Sequence, residues 1–281
     1  RGWLYCPAGK GAAMKRRIID FHTHAFPDFL ADRAMAQLHS GCDIQSYLDG
    51  RVSSLLCSMD EAGIEKSVLC NIATRPSQFD SILEWSCQIR SERIIPLPSV
   101  HPDDPNLPDK IGLIAEKGFI GVKMHPYYQN MVIDEPRHDL LYKSIIENDL
   151  ILVLHTGYDI AFPREERANP KQILHVLDRF GELKLITTHM GAWYQWDEVE
   201  QHLLGKPIYI ETSVSLEYMG GEKMKRMLEN HNPDYLLFGT DSPWDDQKKA
   251  VISIENLISD ETLKRKIFYE NAARLLKSAN F

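Results

Sequence analysis

Ile18-Ile19-Asp20-Phe21-His22-Thr23-His24 is an apolar, β-branched run that ends in two histidines. Its composition predicts a strand over 18–24. An open doubly wound sheet would follow its first strand with a glycine-rich turn that cradles phosphate. Here the two imidazoles stand in that place. Side chains two apart on a strand share a face, so His22 and His24 are expected to point inward together, with Thr23 turned out to the helices. Two convergent imidazoles suit Zn²⁺, Fe²⁺, Mn²⁺ or Ni²⁺. A hydrogen-bonded pair of core histidines is the plainer alternative.

Seven more aliphatic runs follow, over 66–73, 94–101, 119–125, 150–156, 183–189, 207–213 and 235–241. Amphipathic helical patterns lie between them, among them 51–62, 79–91, 138–148, 170–180, 196–204, 222–230 and 247–257, and a last one covers 260–277. Several stop at glycine, as in Lys117-Gly118 and Phe180-Gly181, a common helix end. Strands that are apolar on both faces read as buried parallel strands. Eight βα units at this length predict an α/β chain with one domain, a (β/α)₈ TIM barrel over 14–281. Met14-Lys15-Arg16-Arg17 looks like a natural start, so 1–13 are expected to be an N-terminal extension or expression remnant.

Composition narrows the function classes. The 281 residues are 43% hydrophobic and 26% charged, with a formal net charge of −8. That is ordinary for a globular protein and argues against disorder. The acidic balance speaks against a nucleic-acid binder, and the longest apolar runs, such as 150–154, are strand-sized and too short to span a membrane. The five cysteines are odd in number, lie in the first third of the chain and form no C-x-x-C pair. A reducing, cytoplasmic compartment is therefore expected.

Six of the eleven histidines, His22, His24, His101, His125, His155 and His189, fall at the ends of expected strands. In a TIM barrel that end carries the active site. Asp241 closes the eighth run after Phe238-Gly239-Thr240. Burying such a carboxylate without a cation or several donors would cost several kcal/mol.

In that order these residues resemble the amidohydrolase superfamily, in the amidohydrolase-related branch that includes aminocarboxymuconate-semialdehyde decarboxylase. The phrases that carry the likeness are Ile18–His24 as quoted, Gly121-Val122-Lys123-Met124-His125-Pro126, His189-Met190-Gly191, Gly239-Thr240-Asp241 and the closing Glu270-Asn271-Ala272-Ala273-Arg274-Leu275-Leu276. The resemblance implies that His22, His24, His155 and Asp241 hold one divalent metal, most often zinc, with Mn, Fe or Ni as the other candidates. Asp241 and His189 would be the catalytic pair, moving protons around a metal-activated water. A binuclear site stays open, because Lys123 (carboxylated) and His189 match second-metal ligands of other members. The Lys-x-His-Pro context favours one metal. An uncarboxylated Lys123 would instead bind a substrate carboxylate.

Lys123, His125, Arg75 and Trp193 are the substrate-binding candidates. The first expectation is a metal-dependent hydrolase that cleaves a C–N or C–O bond (amide, lactone or ester) of a small, carboxylate-bearing molecule. The alternative is a lyase, a non-oxidative decarboxylase or hydratase, built on the same centre. A binding barrel without turnover would leave the ligand set unexplained. The partner expected is a small molecule, and a homodimer is implied by the resemblance alone. Glu211 faces in or out of the seventh run with nothing in the sequence to decide between them.

Overall fold

The computed structural model describes residues 16–41 and 45–277, so the expected extension over 1–13, Cys6 and Cys42 lie outside the described residues. Eight parallel strands follow one another round a barrel: β1 (Ile19–Thr23), β2 (Lys66–Cys70), β3 (Ile94–Leu97), β4 (Gly121–Met124), β5 (Ile151–Leu154), β6 (Lys184–Thr187), β7 (Tyr209–Glu211) and β8 (Leu236–Leu237). They pair in chain order as two arcs, β1-β2-β3 and β4-β5-β6-β7-β8. Backbone hydrogen bonds close the ring. The Lys123 N–H donates to Pro98 O (3.0 Å) between the arcs, and the Phe21 N–H donates to Phe238 O (2.8 Å) at the other seam. The result is a single-domain (β/α)₈ TIM barrel, and every strand falls inside its expected run.

The helices are α1 (Asp28–Gly41), α2 (Val52–Ala62), α3 (Phe79–Ile89), α4 (Leu107–Glu116), α5 (Asp139–Glu147), α6 (Pro170–Arg179), α7 (Trp196–His202), α8 (Ser215–Met219), α9 (Gly221–Asn230), α10 (Gln247–Leu257), α11 (Glu261–Arg265) and α12 (Asn271–Lys277). Two features depart from the sequence reading. Helix α1 carries no strong core stripe: Ala31 and Met35 are buried, while Phe29 is 85% exposed. The expected helix over 260–277 is interrupted by a π-turn at Lys266–Glu270. Inside that turn the Ile267 carbonyl accepts from the Phe238 N–H (2.9 Å), so the end of β8 competes for a helix acceptor and the ladder loosens there. Among the described residues no helix is long and apolar enough to cross a membrane.

Strand alternation sorts the core. Leu69, Val122, Leu152, Leu154 and Leu185 face the helices, whereas Val68, Cys70, Ile151, Val153, Ile186 and Leu237 fill the barrel with Ile19 and Phe21. Strict alternation would then turn His22 away. It does not, because the β1–β2 register slips between Asp20 and Thr23, where three steps on β1 oppose two on β2. Such a slip re-aims one side chain beside an active site.

Gly157, with φ +82°, marks a close approach of backbones: a Cβ there would lie 2.0 Å from Trp193 N. The Trp193 N–H donates to Thr156 O (2.9 Å) and the Tyr158 N–H to Trp193 O (3.0 Å), which stitches the segments after β5 and β6 together. Gly157→Ala should therefore destabilise the fold by roughly 2–4 kcal/mol, combining left-handed strain with overpacking. A urea midpoint equal to that of the parent protein would contradict this packing.

His138 caps the approach to α5 in a buried position, and neither ring nitrogen has a hydrogen-bond partner among the described residues. Burial lowers its pKa from 6.5 to about 4. The unfolded chain then binds the proton more readily, so stability is fully present above pH 6.5 and is lost as pH falls towards 4. His138→Phe should flatten the dependence of Tm on pH across that window; an unchanged slope would show that other groups set it.

Candidate active site

The slip in β1 and the seam with β8 assemble the centre. The Asp241 N–H donates to His22 O (2.7 Å) and the His24 N–H to Ser242 O (2.6 Å). Asp241 sits in the left-handed region (φ 61°), a conformation that costs about 1–3 kcal/mol and persists where its surroundings enforce it. It turns the carboxylate onto the two histidines. Asp241 Oδ1 is 3.1 Å from His24 Nε2 and 3.3 Å from His22 Nε2, and the two Nε2 atoms are 3.1 Å apart.

The far sides of both rings are already committed. His24 Nδ1 donates to Cys70 O (2.8 Å), and His22 Nδ1 lies 3.1 Å from Glu211 Oε1. Two bare Nε2 lone pairs and a carboxylate oxygen therefore face one another. That donor set fits a divalent cation.

Lys123 and His155 stand on the neighbouring strand ends. Lys123 is fully buried, with Nζ 3.1 Å from His22 Nε2, and no carboxylate pairs with it among the described residues. Burial pushes its pKa down. His155 Nε2 donates to Tyr158 O (3.0 Å), which leaves its Nδ1 bare and 3.1 Å from His189 Nε2. His155 thus meets His189, while the tight cluster of donors at the first pair is His22, His24 and Asp241. His125 stacks on His155 with ring centroids 4.1 Å apart, and its Nε2 is 3.3 Å from Asp159 Oδ2.

Burial decides the protonation pattern. It drives His22, His125 and His155 well below the ordinary imidazole range, so all three are neutral and able to donate a lone pair. At Asp241 burial opposes the charge, while positive charge on the His22, His24 and His189 rings, when they carry a proton, holds the carboxyl well below its usual range. An unprotonated His22 beside an ionised carboxylate is the form a metal ion requires.

The centre lies at the end of a cleft of about 1110 Å³. His22, His24, Arg75, Lys123, His125, His155, His189, Trp193 and Asp241 all border it, so the structure brings every candidate site residue to one cavity. Tyr128, Phe162 and Trp244 add aromatic walls, and α1 adds Phe29, Leu30 and Arg33. Arg164, in the loop after β5, and the strand-end His101 stand outside its lining. Arg164 lies over the rings of Tyr158 and Tyr194, each at 5.2 Å, and the His101 ring nitrogen accepts from the Asp103 N–H (3.2 Å).

Sequence reasoning left three residues unassigned that the structure places here. Glu211 is fully buried against His22, Ser213 lies between Glu211 and His189, and Asp159 touches both His125 and His155. Two-residue alternation from Tyr209 was the one available signal for Glu211 and Ser213. Asp159 is in a loop, where no periodicity applies.

Comparison with curated protein sequences gives no match. Among solved structures the chain is similar to the uncharacterized TIM-barrel protein Bb4693 from Bordetella bronchiseptica, with 21% identity, TM-score 0.78, and 94% of this chain and 100% of that one covered. It is also similar to 2,6-dihydroxybenzoate decarboxylase from Rhizobium (17% identity, TM-score 0.66, 94% and 99% covered). A third is 5-carboxyvanillate decarboxylase from Novosphingobium aromaticivorans, complexed with manganese (17% identity, TM-score 0.67, 93% and 96% covered). At these identities the likeness speaks for the fold. The amidohydrolase family profile matches residues 19–277, nearly the whole barrel with His22 and His24, and the chain is an enzyme of that family.

Proposed function

We propose that this enzyme is a metal-dependent, non-oxidative decarboxylase of an aromatic or unsaturated carboxylic acid. Of the two readings drawn from the sequence, this prefers the lyase to the hydrolase. The observation that carries it is Lys123, a fully buried amine beside the candidate metal ligands, which Asp241 and Glu211 favour as an ammonium at a distance but with which no carboxylate forms a salt bridge among the described residues. A buried ammonium without a counter-ion is costly unless an anion joins it, and a substrate carboxylate supplies one. The aromatic walls formed by Tyr128, Phe162, Trp193 and Trp244 suit a planar acid, and the two decarboxylases of like fold act on such acids by name.

In this reading His22, His24 and Asp241 hold the cation, with His155 completing the set as the family resemblance implies. The bound cation would act as a Lewis acid toward the substrate's oxygens. Lys123 pairs with the departing carboxylate, and Arg75, exposed further along the cleft, attracts the acid. As the carbon–carboxylate bond breaks, its electron pair stays on carbon and takes a proton. Asp241 and His189 are the groups placed to hold and deliver that proton. Trp193, edge-on to His189 at 5.5 Å, keeps water from that side. Zinc and manganese both suit two imidazoles and a carboxylate.

A second reading rests on His155 Nδ1 and His189 Nε2, two lone pairs 3.1 Å apart that could take a second ion with a carboxylated Lys123 as bridge. That would be a binuclear hydrolase.

Metal analysis and a substrate panel separate the two. The decarboxylase reading expects one equivalent of metal per chain and CO₂ release from hydroxybenzoates or unsaturated acids, abolished by chelation and restored by Zn²⁺ or Mn²⁺. Two equivalents, with hydrolysis of amides or lactones and no CO₂, would overturn it. Asp241→Asn should lower kcat by about 10²–10⁴-fold. An Asp241→Asn enzyme with full turnover and full metal content would remove Asp241 from the proposed chemistry.

A further inference from the structure

Glu211 has no part in the proposed chemistry beyond its contact with His22, yet four polar groups converge on its carboxylate. Its Oε1 lies 2.7 Å from Ser213 Oγ, 2.9 Å from His189 N and 3.1 Å from His22 Nδ1, and its Oε2 lies 2.7 Å from Ser213 N. A carboxylate can only accept, so each of these neighbours must donate. His22 Nδ1 therefore carries its proton and His22 Nε2 is bare. Ser213 spends its one hydroxyl proton on Glu211, so its oxygen accepts from His189 Nδ1 (2.9 Å). His189 Nε2 is then bare as well, and faces the cavity.

We infer that Glu211 is a positioning residue that fixes the ring tautomers of two histidines at once, His22 directly and His189 through Ser213. The surrounding backbone is shaped to this end. His189 (φ 55°) and Val214 (φ 54°) both occupy the left-handed region, which for a β-branched residue such as Val214 is strained. These turns flank the two amides that reach Glu211. Gly239 leaves the carboxylate its space: a Cβ there would lie 2.2 Å from Glu211 Oε2. The function of the bare His22 Nε2 rests on the reading of His22 as a metal ligand, whereas the tautomers themselves do not.

The test compares Glu211→Gln, Ser213→Ala, Gly239→Ala and His22→Ala with the parent full-length protein. Zn²⁺ affinity is measured by competition with a chromogenic chelator, and histidine tautomers are read from long-range ¹⁵N–¹H correlation spectra with and without Zn²⁺. Glu211→Gln and Gly239→Ala should weaken Zn²⁺ binding about 10–100-fold, the range for losing the group that orients a ligand histidine. Ser213→Ala should leave affinity within about threefold and alter the His189 signature far more than that of His22, because the hydroxyl is the near partner of His189 Nδ1 (2.9 Å) but stands 3.3 Å from His22 Nδ1, which keeps Glu211 as its acceptor. A general structural role would not divide the two readouts in this way.

Unchanged His22 and His189 spectra in Glu211→Gln would overturn the proposal. So would complete loss of Zn²⁺ with both tautomers intact, which would make Glu211 a ligand. If Glu211→Gln does not fold, Ser213→Ala decides, and an unaltered His189 spectrum there is equally fatal. Retention of Zn²⁺ by His22→Ala would refute the metal-ligand reading instead, and the metal-free spectra would still judge Glu211.

Discussion

The seam between the first and last strands is the constraint from which the site follows. β8 is two residues long, and what holds its end against β1 is a buried carboxylate rather than a long ladder. Asp20 accepts from Thr240 Oγ1 (2.5 Å), Thr240 N (3.0 Å), Gln247 Nε2 (2.8 Å) and His22 N (3.2 Å). Burial alone pushes its pKa up to about 7 against these four donors. Held this way, the chain after Thr240 has one place to go, across the mouth of the barrel onto His22 and His24. The position of Asp241, the register slip in β1 and the opening of the cleft all depend on that join.

Three of the site's histidines have their outer ring nitrogen bound to a fixed acceptor, whereas His125 Nδ1 has no hydrogen-bond partner among the described residues. Cys70 O takes His24, Glu211 takes His22, and Tyr158 O takes His155. Two of these acceptors belong to a different strand from the ring they hold, and Tyr158 O follows His155 in the same loop. The histidines are therefore oriented by the barrel as a whole, and the lone pairs left over converge because the fold leaves them no other direction. Preorganisation of this kind is what makes a site selective for a cation or an anionic substrate, since little rearrangement is needed on binding.

Much of this was legible in the residues. Runs of β-branched and aliphatic residues marked all eight strands, and the histidines at their ends marked the face on which the cleft opens, because both signals are local. His22, His24 and Asp241 meet as expected, and Arg75, Lys123, His125, His155, His189 and Trp193 share the same cavity. What was not legible depends on partners distant in the chain. Glu211 could not be oriented, because its meaning comes from His22 and from the missing side chain of Gly239. Asp159 acts from a loop. Helix α1 was missed because its Phe29 and Leu30 face the cleft rather than the core, so the pattern that betrays a packed helix is weak. The π-turn was hidden for a similar reason: its cause is the Phe238 N–H, a group outside the helix.

One cluster of candidate ligands joins residues from opposite ends of the chain: His22 and His24 from the end of the first strand, Asp241 from beyond the last. Contacts so remote in sequence form late in folding, because loop closure over nearly the whole chain must precede them. No fragment that stops short of β8 can bring these three donors together, and a nascent chain emerging with only β1 complete presents His22 and His24 without Asp241. The centre therefore comes into being as the barrel shuts, and any ion it takes up stabilises the closed ring over every open precursor.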